Sequence, residues 1–336
     1  MLYVQGEWSE MVAYVGIDLS KSKIDLCWLR DATGKKVKTK VFKNSDFHLI
    51  SQWLAKSIDM SPESVHITLE ATGVYHEGLV YHLHEQGYRV FVANPGKANL
   101  FAKSHGMTHK TDKSDAKLLA KYGASEPANL HRWEPDPPEV RELKAISRRL
   151  HALEKDRQRE TNRLESSQIS GASLRVTDSI HAMIGKLDDE IERLKQDIDD
   201  RIKKDPVLAT NHELLGSIKG IGGVMQRELV CLFARKRFCT AKQVAAYLGL
   251  IPRLWESGVL KGKTTLSKTG PSYLRAKLYM AAVAASQHNP DIKKQKNRLL
   301  AQEKSRMAAL GAAMRKLVQI CFGVIKNQQP YQPQAV

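Results

Sequence analysis

Six apolar residues between positions 184 and 202 recur at intervals of three, four, three, four and four in an otherwise charged stretch: Ile184, Leu187, Ile191, Leu194, Ile198 and Ile202. This spacing is close to a heptad seam and demands a long helix with one apolar stripe. An earlier series, Leu143, Ile146, Leu150 and Leu153, asks for a second helix, and ISGASLRVTD between the two reads as a turn. An antiparallel helical hairpin over 138–204 follows. Such a seam can zip against its own second arm or against another copy of the chain, and spacing does not choose between them.

The hairpin separates two regions with different patterns. Before it, AYVGIDLSKSKIDLCWLRD reads as two strands around a polar turn, and KVKTKVFKN alternates with the period of a half-exposed third strand. Leu49, Ile50, Trp53 and Leu54 stand at helical spacing, followed by a strand in SVHITLEATG, a helix in GLVYHLHEQGY and a strand in RVFVANP. Alternating strands and helices imply a mixed α/β domain over 11–132. The Pro-rich WEPDPPEVREL marks its end, since Pro137–Pro138 before Glu139 resembles a helix start. Beyond Pro206 the chain is rich in Gly and Ala, which predicts a mostly α-helical domain over 206–326 and a disordered polar tail at 327–336. A chain of 336 residues accommodates this division, because domains run to roughly 100–200 residues.

Lys and Arg number 53 against 36 Asp and Glu, a formal charge of +17 spread along the whole length. That balance favours a polyanionic partner, nucleic acid first, over a protein that is merely basic. No apolar run approaches the ~18–20 residues of a membrane helix, and the N-terminus lacks a secretory pattern, so the expected location is cytoplasmic. The cysteines Cys27, Cys231, Cys239 and Cys321 form no CxxC pair and are expected as reduced, buried thiols. Trp53, Trp133 and Trp255 stand singly rather than interleaved with Arg in a repeating pattern, so backbone electrostatics and shape are expected to outweigh base stacking.

Asp18 and Glu70 each end an apolar strand beside a turn, where a carboxylate can face a cleft. Asp112 and Asp115 are one helical turn apart in TDKSDAKLLAKY and share a face if that segment is helical. Two readings compete. In one, Asp112 and Asp115 stabilise a helix N-terminus, with Lys113, Lys117 and Lys121 making a solvated face. In the other, all four acids surround Mg2+, which takes hard oxygen ligands and pairs with phosphate oxygens.

A third group of interest lies in LIPRLWESGVLKGKTTLSKTGPSYLRAKLYMAA. Here Ser257, Ser267 and Ser272 stand among Arg253, Lys261, Lys263, Lys268 and Arg275. Cations neutralise phosphate charge but do not activate a serine, and a serine near Gly270 and Pro271 more often closes a turn or caps a helix. LLGSIKGIGGVMQREL looks like a helix-hairpin-helix. Gly220, Gly222 and Gly223 would let backbone N–H groups approach a phosphate, or would simply close two core helices.

The ordered motifs YVGIDLSKSKIDL, LEATGVYHEGL, VANPGKANLFAKSHG and KTDKSDAKLLA resemble the DEDD transposases of the IS110 and IS1111 insertion-sequence family, which includes Piv-type invertases. The resemblance covers nearly the whole chain, with the coiled-coil stretch and termini least specific. It implies an α/β RuvC-like (ribonuclease-H-type) N-terminal domain, a helical coiled-coil linker and a mostly α C-terminal transposase domain. Its acidic tetrad falls on Asp18, Glu70, Asp112 and Asp115 as ligands of Mg2+, and its nucleophilic serine on Ser257, which together imply a composite site. Lys110, Lys113 and Lys117 then become candidate phosphate contacts, along with Arg253, Lys261, Lys263, Lys268 and Arg275.

Family members imply homodimers or homotetramers, a bacterial nucleoid-associated location, and a non-coding bridge RNA that pairs with donor and target DNA while strands are exchanged through phosphoserine links. A RuvC-like structure-specific nuclease or an inactive nucleic-acid-binding protein are the competing functions. An actin-like ATPase or sugar kinase is disfavoured because DLSKSKID lacks glycines for a phosphate loop.

Overall fold

Short apolar-alternating segments joined by polar turns pair first with their neighbours, and the N-terminal sheet begins in this way. In the computed structural model, which describes residues 12–31, 33–71, 73–106, 112–126, 130–254, 256–257, 260–261 and 264–334, the chain divides into units 1–135 and 136–336. In the first unit, β1 (Ala13–Leu19), β2 (Lys23–Leu29) and β3 (Val37–Lys43) form an antiparallel meander. Helix α1 (Phe47–Ser57) returns the chain to β4 (Val65–Glu70), parallel to β1, and α2 (Glu77–Glu85) leads to β5 (Arg89–Ala93), parallel to β4. The five-stranded order is β3-β2-β1-β4-β5.

One face of this sheet, with Val15, Ile17, Ile24, Leu26, Ile67 and Leu69, is fully buried against Ile50 and Leu54 of α1 and Leu79 and Leu83 of α2. Each such side chain contributes about 1.5–3 kcal/mol on burial. Trp53 and Trp133 pack at the margin of this core, Trp53 edge-on to Phe42 and Trp133 edge-on to Tyr81, so both have packing roles. Trp255 lies outside the described residues.

The opposite face is covered by α4 (Asp112–Ser125), and small residues set how closely it lies. A Cβ on Gly16 would stand 1.9 Å from the Ala116 carbonyl oxygen and 2.3 Å from the Ala120 nitrogen, so β1 and α4 meet backbone to backbone. A Cβ on Gly123 would meet the Thr68 hydroxyl at 2.3 Å, which brings β4 under the far end of the same helix. Alongside lies α3 (Pro95–Ser104), which the sequence reading left as a motif. Its signal was present: Pro95 is preset for the first helical position, and Asn94 Oδ1 accepts from the Gly96 and Lys97 amides.

The second unit opens with α5 (Pro138–Ile169) and α6 (Leu174–Lys204), which pack along one another within the chain. Leu143, Leu150, Leu153, Ile191, Ile198 and Ile202 enter the same core as the later helices, so the base of the hairpin belongs to the C-terminal fold. Arg201 pairs with Glu142 across the arms, and Arg157 with Asp188 nearer the turn. Then come α7 (Pro206–Gly216), α8 (Gly223–Arg235), α9 (Ala241–Tyr247), α10 (Ser272–His288), α11 (Pro290–Ala301) and α12 (Arg306–Asn327). Lys277 of α10 bonds both Glu154 of α5, at 2.8 Å, and Glu228 of α8, at 2.6 Å, tying three helices at a half-buried node.

Two sequence expectations are corrected, the loose tail and the burial of all four cysteines. The tail is not loose through residue 334: the Tyr331 hydroxyl donates to Asp291 at 2.6 Å, its amide donates to Ser217 Oγ at 2.8 Å, and Gln328 Nε2 donates to Asn211 Oδ1 at 2.9 Å, so hydrogen bonds seat a polar strap on the helices. Helix α12 is long and apolar enough by length and composition to cross a membrane, but Ala313, Leu317, Val318 and Cys321 are fully buried inside the helical core. Cys239 is exposed, whereas Cys27, Cys231 and Cys321 are buried and free.

Candidate active site

The close contact of α4 with the sheet determines which side chains share its N-terminal end. Side chains alternate along a strand, so Asp18 lies on the face of Gly16, and Glu70 on the face of Thr68. Both are the α4 face. The strands run parallel with Ile17 opposite Leu69, and Asp18 and Glu70 each stand one residue beyond that pair. Asp112 and Asp115 occupy the first turn of α4. The helix predicted by sequence therefore forms, and it brings its two acids to the sheet end that carries Asp18.

The electrostatics record this convergence. Burial, then the carboxylates of Asp115 and Asp112, push the Asp18 carboxyl up from its ordinary value to about 6. Among the described residues no three Asp, Glu, His or Cys side chains form a ready-made metal cage. The donor set nonetheless consists of the hard oxygens that Mg2+ prefers.

Two residues that sequence reasoning missed belong to the same cluster. Asp25 is directly opposite Asp18 in the β1–β2 ladder, is almost fully buried, and leaves Oδ1 without a partner. Its Oδ2 lies 2.9 Å from Lys23 Nζ, which also donates to Asp112 Oδ2 at 3.1 Å. The available signal was an acid inside the apolar run KIDLCWL, where burial of a charge demands a reason. Lys113 is exposed and Lys117 is half-buried on α4, while Lys110 lies outside the described residues.

Ser257 is carried by a double hairpin. Strand β6 (Pro252–Arg253) pairs with β9 (Thr265–Leu266), and beyond it β7 (Glu256–Ser257) pairs with β8 (Leu260–Lys261), with Ser257 opposite Leu260. The Ser257 side chain is exposed. Gly249 and Gly270 hold the base of the hairpin at positive φ, each so close to a facing carbonyl that a Cβ would stand 2.2 and 2.0 Å from it. Arg275, expected at a phosphate, directs Nη1 to the carbonyls of Leu248, Thr269 and Gly270 and so anchors that base. Arg253 and Lys268 are exposed on the hairpin strand and at its foot, and Lys263 lies outside the described residues. Ser267 is turned inward with a buried, unpartnered hydroxyl, and Ser272 opens α10 without capping it.

At the Gly-rich turn between α7 and α8, Gly220 closes core helices, since a Cβ there would meet the Ala285 backbone at 2.7 Å. Gly222 and Gly223 face open space at the start of α8, where no side chain caps the first amides.

Comparison with known proteins places the chain in a family. A DEDD transposase model of the IS110 group, described as a transposase, matches residues 15–167, and a model described as the transposase IS116/IS110/IS902 family matches residues 212–297. The chain is 31% identical over 325 residues to the pilin gene-inverting protein of Moraxella bovis, covering 95% of this chain and 97% of that protein. The chain belongs to the IS116/IS110/IS902 transposase family. Similarity extends to the pilin gene-inverting protein of Moraxella lacunata at 31% over 325 residues, 95% of this chain and 97% of that protein. It also extends to a putative transposase, y4rJ, of Sinorhizobium fredii at 26% over 328 residues, 82% of this chain and 81% of that protein. This transposase is therefore a DNA recombinase by class, and its family's DEDD signature points to a divalent metal. The family models together cover the carboxylate unit and the hairpin with Ser257, while residues 168–211, which include α6, fall between them.

Proposed function

We propose that this transposase cuts and rejoins DNA through a phosphoserine link at Ser257, guided by an element-encoded bridge RNA, with Asp18, Glu70, Asp112 and Asp115 serving Mg2+. The observation that carries the metal part of the reading is that the first turn of α4, with Asp112 and Asp115, lies at the sheet end that carries Asp18, whose carboxyl burial and those two acids push up to about 6. Like charges gathered around a half-buried carboxyl call for a cation. Mg2+ would supply the charge that neutralises a phosphate's oxygens.

The protein's own residues do the rest. The meander followed by two parallel strands, with acids at the ends of β1 and β4, supports a ribonuclease-H-type reading of the first unit. Backbone pairing to Leu260 holds Ser257, whose exposed side chain is accessible to a phosphodiester, and Arg253 and Lys268 add exposed cations to the same hairpin segment. The open amides at Gly222 and Gly223 suit a nucleic-acid phosphate. Relatives named for inverting a pilin gene and for transposition both rearrange DNA, which supports strand cleavage with rejoining. Exposed Ile169 and Leu174 flank the α5–α6 turn and support assembly of two or four copies.

The test is to purify the transposase with RNA from its element, sequence that RNA, and trap reactions on donor and target DNA. Wild type should yield covalent protein–DNA adducts. Ser257→Ala should yield none, and adducts that persist would remove Ser257 as the nucleophile. Asp115→Asn should abolish cleavage while RNA binding survives, and loss of folding instead would return Asp115 to a structural role.

A further inference from the structure

Lys23 holds an unusual position. Its ammonium bridges Asp25 Oδ2 at 2.9 Å and Asp112 Oδ2 at 3.1 Å, joining the second strand of the sheet to the first turn of α4 across 89 positions of sequence. Asp25 is 3% exposed and its other oxygen is buried without a partner. Buried carboxylates are ordinarily satisfied by hydrogen bonds or by a counter-charge. Asp25 therefore has half of what it needs, and it faces Asp18, whose carboxyl it also opposes. Asp18, Asp25, Asp112 and Asp115 thus gather around a cluster in which Lys23 supplies positive charge from a side chain that stays partly in solvent.

We infer that Lys23 is a built-in counter-cation of this cluster: it holds Asp112 to Asp25 in the metal-free protein and yields Asp112 when a divalent ion enters. The inference rests on the metal reading proposed above and adds two residues to it. Asp25 is the positioning residue, since it stays in place on the central sheet and keeps the ammonium at hand. The same bridge engages Asp112 Oδ2 with an ammonium at 3.1 Å. Competition for one carboxylate makes metal affinity and Lys23 engagement opposed quantities. Removing the ammonium should tighten metal binding and loosen the metal-free fold.

The experiment uses the full chain and Mn2+ as the probe, followed by electron paramagnetic resonance and calorimetric titration, with reductive methylation of lysines read by mass spectrometry as a second measurement. Lys23→Met and Lys23→Gln should bind Mn2+ about tenfold more tightly than wild type and melt at a lower temperature without metal. In the wild-type protein, saturating Mn2+ should raise the methylation rate of Lys23 severalfold while leaving exposed Lys40 on β3 unchanged. If wild type binds Mn2+ but both variants bind it equally or more weakly, and Lys23 labelling does not respond, Lys23 is not the competing cation and the metal reading stands. If neither wild type nor the variants bind Mn2+, the metal reading and this inference fall together.

Discussion

Asp18 shows how a single residue reports on its neighbourhood. Its carboxyl is raised to about 6 against an ordinary value of 3.8, so between those values the folded protein holds a proton that the unfolded chain releases. Stability of the metal-free protein therefore falls as pH rises through that window, and the penalty is fully present above about 6. Asp18→Asn cannot ionise, so in chelator at pH 7.5 the variant should melt above wild type, with the gap shrinking toward pH 4. A melting difference that does not change with pH would refute the account. The residue scale is also where sequence reading was weakest. Asp25 and Lys23 lie inside the motif YVGIDLSKSKIDL but were given no role there, and only strand register places Asp25 opposite Asp18.

Among the elements, α4 on the sheet is governed by absent side chains. Thr68 Oγ1 is buried without a partner and would stand 2.3 Å from a Cβ at position 123. Gly123→Ala should cost about 1–3 kcal/mol, the range for overpacking. Adding Thr68→Ala should recover most of that loss, since the obstructing hydroxyl goes with it. Chemical denaturation of both single variants and the double variant measures the coupling, and purely additive losses would refute direct contact. The α5–α6 hairpin offers a contrast along one element. Ile198→Ala empties a fully buried site at its base and should cost about 2–5 kcal/mol. Ile169→Ser, at 82% exposure beside the turn, should change the stability of a single chain by less than about 0.5 kcal/mol. If Ile169→Ser also lowers the assembled mass in light scattering, the turn joins copies of the chain. The heptad spacing made both arms legible, but the depth of burial along them depends on which end meets α7 and α8.

At the scale of the whole molecule, the hydrophobic clusters among the described residues share no residue: one is built around the mixed sheet, a small one joins Ala93, Ala98, Leu119 and Tyr122 in the same unit, and one lies among the later helices. Calorimetry should therefore resolve two unfolding transitions, and Ile198→Ala should move only one of them. A single transition shifted as a whole would show that the units unfold together. The formal charge of +17 predicts nucleic-acid binding that weakens steeply with salt. If the transposase contacts six or more phosphates, affinity should drop roughly a thousandfold or more between about 50 and 200 mM salt. A nearly flat dependence would argue for a small electrostatic footprint. The sequence alone determined the division into a strand-rich and a helical region, the long hairpin and its seam, the basic charge and the ordered motifs. All of these are carried by neighbours in the chain or by periodicity, so local pattern is enough to read them. Only the tertiary structure decided that Tyr331 seats the tail, that Arg275 braces a hairpin, and that Lys23 and Asp25 join the acids. Those contacts link positions far apart in sequence, and a side chain's charge becomes informative only when folding shows which other charges it must face.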